Sequence, residues 1–99
     1  MWQTDTQASE TIIAMLKSVR LDRLWTKDGP TEEACEYLDA GGGPLSHGEQ
    51  IMLRVAFDLW NSKGKATLDD LVAVLDDRCL RAVLRAVLVL RPGGRPAVA

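Results

Sequence analysis

Three side chains in this 99-residue sequence could bind a soft metal ion, namely Cys35, His47 and Cys79. Each stands alone, whereas structural cysteine and histidine sites usually contain a closely spaced pair of ligands. The spacing likewise gives no reason to place a cysteine beside a histidine, as a nucleophilic pair requires. We therefore predict no metal site, no cofactor and no enzymatic activity. Both cysteines are expected to be buried, reduced thiols, and a disulfide between them is the alternative.

Arginine recurs near the C-terminus of the sequence. Arg78, Arg81 and Arg85 are three and four residues apart, so a helix would present them on one face, and Arg91 continues the basic character. Such a face could contact nucleic-acid phosphates as the second helix of a helix-turn-helix. Against this, two aspartates precede it, and no Asn, Gln, Ser or Lys accompanies the arginines to read base edges. Nucleic-acid binding by these four arginines is thus an alternative to a solvated helix face.

Residues 57–71 resemble an EF-hand, with an aromatic helix end, a loop around Gly64 and an acidic helix start. If Gly64 takes the sixth loop position, Leu59 and Lys63 fall where calcium ligands belong, and neither can coordinate a hard cation. Residues 64–67 similarly lack the leading glycine, and the Ser or Thr directly after lysine, of a phosphate-binding P-loop. We expect helix–loop–helix geometry here without calcium.

Apolar residues recur at helical spacing nearly throughout, and no segment alternates apolar and polar residues as a strand would. We predict an all-α fold, a compact four- to five-helix bundle. It forms a single helical domain over residues 1–91, followed by a flexible tail at 92–99 that begins with Pro92. The first helix starts near Ser9, and the sequence leaves open whether it continues through Trp25.

The remaining helices are bounded by caps and by Gly or Pro. The second is expected over residues 31–40, the third over 47–60 behind a capping box of Ser46 and Glu49, and the fifth over about 78–90. Thr67 caps the fourth. The side chains expected to point inward from the second and fourth helices are Ala34, Cys35, Leu38, Leu68, Leu71, Val72 and Leu75.

The third helix is predicted to be the centre of the bundle. Its polar residues form one narrow stripe, and apolar residues cover the rest of its circumference. The fifth helix also ends in five consecutive apolar residues, 86–90. Because so small a domain can hardly bury two such helices, we predict a partner-binding surface. It consists of Leu84, Val87, Leu88 and Leu90, and its partner is a second copy or another protein.

Residues 45–50, 57–61 and 68–71 resemble a type of short all-helical bacterial protein without assigned activity. The resemblance implies no catalytic residues. The net charge of −2 provides no bulk attraction to nucleic acid or anionic membranes. No secretory leader is recognisable, and the longest apolar run is too short to span a bilayer. We expect a cytoplasmic, dimeric protein-interaction or regulatory module without a membrane partner.

Overall fold

The structure, a computed structural model, describes residues 5–90. Within them, five α-helices, two 3₁₀ turns and one two-stranded antiparallel hairpin follow one another. The elements are α1 (Asp5–Leu16), the 3₁₀ turns (Lys17–Val19 and Asp22–Leu24), β1 (Trp25–Thr26), β2 (Gly29–Pro30), α2 (Glu32–Asp39), α3 (His47–Asn61), α4 (Leu68–Val74) and α5 (Asp77–Leu90). The predicted helical architecture is confirmed, with a small sheet in addition. The predicted tail over 92–99 lies outside the described residues.

The first helix does not continue through Trp25. It tightens into a 3₁₀ turn after Leu16, and Arg20 then adopts a left-handed conformation (φ 60°) with its N–H donating to the Lys17 carbonyl. Leu21 and Trp25 beyond this turn are buried. The break therefore lets the chain reverse direction while both parts of the segment contribute to one core.

The expectation of no strands was wrong for the segment that follows. Trp25 pairs with Pro30, and Thr26 pairs with Gly29. The Thr26 hydroxyl donates to the Gly29 carbonyl at 3.0 Å and accepts from the Asp28 N–H at 3.1 Å, so a side chain closes the turn. Strands of two residues are too short to show an alternating pattern, so periodicity could not predict them.

The second helix begins one residue after its predicted start, because Thr31 is its N-cap and accepts from the Ala34 N–H at 3.1 Å. Ala34 is buried as predicted, and Leu38 is half-buried. The prediction that Cys35 points inward was wrong, since its side chain is exposed. Tyr37 is half-buried against the core in its place.

The third helix is the centre of the fold, as predicted. It packs against each of the other four helices. Ser46 and Glu49 form the expected capping box, with hydrogen bonds of 2.8 and 3.2 Å. Its buried side chains are Ile51, Met52, Leu53, Val55, Ala56 and Phe57.

A six-residue connection, residues 62–67, folds back from the end of α3 to α4, which gives the expected helix–loop–helix geometry. Both Asp58 carboxylate oxygens accept backbone hydrogen bonds from this connection, from Lys65 at 2.8 Å and from Ala66 at 2.9 Å. Gly64 lies directly against the backbone of Arg54, which is one helical turn before Asp58 in α3. The Asp58 carboxylate thus holds the loop against the end of α3.

Candidate interaction surface

The outer flank of α5 carries large apolar side chains that the described part of the chain does not cover. Leu84 is 54% exposed, Val87 43% and Leu88 62%. Single solvent-exposed apolar side chains are common, but three within five residues of one helix form a contiguous apolar area. We call these three residues the α5 face.

Leu90 is not part of this face, although the sequence analysis included it. Its side chain is 2% exposed and belongs to the hydrophobic core, together with Cys79, Val83 and Ala86 on the same side of α5. The physical reason is the helical period: position 90 lies seven residues after Val83, which is nearly two full turns. It therefore points inward with Val83.

Three of the four arginines that the sequence singled out lie exposed along α5, whereas Arg91 lies outside the described residues. A helix advances by about 100° per residue. Measured from the buried Val83, Leu84 and Leu88 lie at about 100° and 140° around the axis. Arg81 and Arg85 follow at about 160° and 200°. The apolar side chains and the cationic ones therefore occupy adjacent strips of one exposed surface.

A second exposed apolar pair lies on α4, where the sequence analysis placed it in the core. Leu68 is 80% exposed and Val72 is 76% exposed, while Leu71 and Val74 pack against the core and are half-buried. On a helix of only seven residues, a single narrow side can contact α3, and it is used by Leu71 and Val74. The low number of turns was the signal that could have revealed this exposure.

The side chains considered for metal binding or nucleophilic chemistry do not come together as a site. Cys35 is exposed on α2, Cys79 is buried on α5, and His47 is exposed at the start of α3; both cysteines are free. Within residues 5–90, no group of three His, Cys, Asp or Glu side chains is placed to hold a metal ion. Likewise, no helix between positions 5 and 90 is long and apolar enough to cross a membrane.

The Cys79 thiol is held in its protonated form. Burial is the main cause that raises its pKa, and the neighbouring Asp76 carboxylate raises it further. The thiolate is the form of cysteine that acts as a nucleophile and as a metal ligand. Cys79 therefore serves as an apolar core residue, on the inward side of the helix that carries the α5 face.

Asp76 caps the start of α5 and so fixes the direction of that helix. Its side chain accepts from the Cys79 N–H at 2.9 Å, and its backbone carbonyl accepts from the Leu80 N–H at 2.9 Å. The hydrogen bond from the Cys79 backbone is the main cause that lowers the pKa of Asp76. A folded-state pKa below the unfolded one stabilises the fold above the unfolded pKa, and the effect disappears as pH falls through the folded pKa.

Because the Asp76 carboxylate caps α5, we expect its contribution to the stability of the fold to depend on pH. We expect the protein to unfold at a higher temperature than its Asp76→Ser variant at pH 7, because serine keeps a capping oxygen but not the charge. The difference should shrink as pH falls below about 4, where the unfolded carboxyl group begins to protonate. Asp76→Ala, which removes the cap altogether, should be less stable than the serine variant at both pH values. Thermal unfolding followed by circular dichroism measures this, and a gap between aspartate and serine that widens toward acid contradicts it.

Comparison with known proteins adds no assignment to this surface. No protein-family model, curated protein or solved structure matches the chain.

Proposed function

We propose that this protein is a cytoplasmic, non-enzymatic interaction or regulatory module that self-associates through the α5 face. The exposure of Leu84, Val87 and Leu88 on one flank of a well-anchored helix carries this proposal. Removing apolar surface from water is favourable at about 25 cal/mol per Å², so such a face gains free energy when a matching surface covers it.

A second copy of the same helix is a matching surface. Leu80 and Leu88 lie four residues on either side of Leu84 and on the same flank of α5. If two α5 helices pair antiparallel around a two-fold axis at Leu84, Leu84 meets its own counterpart. Leu80 of each copy then lies opposite Leu88 of the other. Two-fold dimers need self-complementarity of this kind, and a stripe symmetric about its central residue provides it.

The charges around the α5 face support the same arrangement. Arg81 and Arg85 border the apolar strip, which gives the apolar centre and polar rim typical of protein interfaces. The net charge of −2 is small, so two copies repel each other only weakly at physiological salt.

Charge introduced on the α5 face should dissociate the dimer. We expect the combined change Leu84→Glu and Leu88→Glu to weaken self-association by at least about 100-fold. The two carboxylates introduced at position 84 would face each other at the two-fold axis, and each copy loses two leucines. Sedimentation velocity over a concentration series measures the change, and circular dichroism confirms that the variant is folded. Both positions are exposed, so the fold should tolerate the substitutions.

The matched control carries the same chemistry on α4, as Leu68→Glu with Val72→Glu. Two exposed apolar residues again become acidic, but the dimer is expected to persist. If the α4 variant dissociates and the α5 variant does not, the interface has been assigned to the wrong helix. If the unmodified protein is monomeric at millimolar concentration, the proposal of self-association is wrong.

The exposed arginines support nucleic-acid binding as a second candidate function. Arg78, Arg81 and Arg85 share one side of α5 and all face solvent. The variant Arg81→Glu with Arg85→Glu distinguishes self-association from nucleic-acid binding. Sedimentation velocity should show that its dimer is largely intact. Under the second function, this variant loses affinity for duplex DNA, and the affinity of the unmodified protein falls steeply with salt.

A further inference from the structure

An open groove of about 760 Å³ lies between the end of α2, the middle of α3 and the loop that leads to α4. We call it the loop groove. It is lined by Leu38, Asp39, Arg54, Lys63, Gly64 and Lys65. It is separate from the α5 face, since none of these residues lies on α5.

The loop groove concentrates positive charge in a protein that is negative as a whole. Three cationic side chains and one carboxylate line it, against a net charge of −2 for the chain. Cations gathered in a concave surface raise the local concentration of anions, because the surrounding protein focuses their field.

The backbone that carries the two lysines is held in place. Asp58 accepts from the N–H groups of Lys65 and Ala66, and Ser62 closes α3 in a left-handed conformation (φ 65°). The backbone at Gly64 lies so close to α3 that a Cβ atom there would be 1.7 Å from the Arg54 carbonyl oxygen. The backbone at Lys63 and Lys65 is therefore held against α3 before any ligand arrives, so binding has to order only the two exposed lysine side chains.

The chemistry of the cations selects the kind of anion. Arginine offers a planar fork of N–H donors that matches two oxygens of one phosphate group, and lysine adds point charges from the side. A phosphate monoester has a charge between −1.5 and −2 at neutral pH and three terminal oxygens. Asp39 can accept a hydrogen bond from a hydroxyl group on the same ligand.

We propose that the loop groove binds the phosphate group of a small, hydroxylated phosphate monoester. Arg54 takes two of the phosphate oxygens, Lys63 and Lys65 approach the others, and Asp39 accepts from a hydroxyl group of the organic part. This site differs from a P-loop, where backbone amides hold the phosphate, because the amides of Lys65 and Ala66 are already bonded to Asp58.

Titration with glucose 6-phosphate, followed by amide chemical shifts, tests the site. We expect saturable shifts of the Lys63, Gly64 and Lys65 amides at millimolar ligand. The double change Lys63→Ala and Lys65→Ala should weaken binding by about 10-fold or more. Arg54→Lys keeps the charge but removes the fork, so it should weaken binding several-fold. Glucose as the probe should cause no shifts, and inorganic phosphate should bind more weakly than the ester.

A second basic cleft provides the matched control. Lys17, Arg20 and Arg78 line it with Glu49, so it has the same balance of charges. Lys17→Ala with Arg78→Ala removes two cations there and should leave the titration unchanged. The proposal is overturned if this variant weakens binding as much as the loop variant does, if the loop amides do not shift, or if Arg54→Lys binds as tightly as the unmodified protein. Equal affinity for inorganic phosphate and the ester overturns the role of Asp39.

Discussion

Replacing Gly64 with alanine is expected to destabilise the protein by about 3 kcal/mol or more. The added Cβ would lie 1.7 Å from the Arg54 carbonyl oxygen and 2.9 Å from the Asp58 backbone nitrogen. Both neighbours are backbone atoms of the central helix, so no side-chain rotation relieves the overlap. If the loop moves away instead, the hydrogen bonds from Lys65 and Ala66 to Asp58 are lost, and bonds to a charged group contribute about 1.5–3 kcal/mol each. For a domain of this size, the melting temperature should fall by about 12 °C or more.

Gly48 provides the control, because the same chemical change should have the opposite sign there. It lies in the first turn of α3, and a Cβ at this position meets no atom within 4 Å. Since glycine costs about 0.8–1 kcal/mol relative to alanine inside a helix, Gly48→Ala should stabilise the protein by up to that amount. Chemical denaturation of both variants measures the pair. Equal and small effects would show that the loop does not lie against α3 as described.

The features of this fold that could be predicted from the sequence depend on interactions between residues close together along the chain. A cap joins a side chain to a backbone group about three residues away, so the Ser46–Glu49 box and the Thr67 cap of α4 are recognisable in the sequence. The central position of α3 could also be predicted from the sequence, because a helix with apolar residues over most of its circumference must be surrounded by other elements.

The features that were missed depend on which side of a short element meets the core. Leu68 and Val72 have the right types and spacing to be buried, but α4 has too few turns to bury more than the side with Leu71 and Val74. On α2, likewise, the Cys35 side chain is exposed, and the Tyr37 side chain packs against the core instead. The loop groove could not be anticipated, since Arg54 and Lys65 line one groove only because the Asp58 side chain holds the loop back against α3.

An aromatic cluster joins the hairpin to the central helix. Trp25 is buried and meets Phe57 edge-on, with ring centroids 5.2 Å apart, and Trp60 at 5.9 Å in a similar arrangement. Trp60 in turn covers the hairpin glycine, because a Cβ on Gly29 would lie 2.9 Å from the Trp60 ring. The cluster thus joins the hairpin to α3 through side-chain contacts.

Trp25→Ala is therefore expected to destabilise the protein by about 3–5 kcal/mol, the usual range for truncating a buried aromatic side chain to alanine. Trp25→Phe should cost much less. Phenylalanine preserves an edge contact with Phe57, and the buried Trp25 indole N–H that it removes has no hydrogen-bond partner among residues 5–90. Val72→Ala, at an exposed apolar position, should change stability by no more than about 0.5 kcal/mol. Denaturant unfolding of the three variants tests this order of stability. If Val72→Ala costs nearly as much as Trp25→Ala, Val72 is buried in the core. The packing described for α4 and for the aromatic cluster would then be wrong.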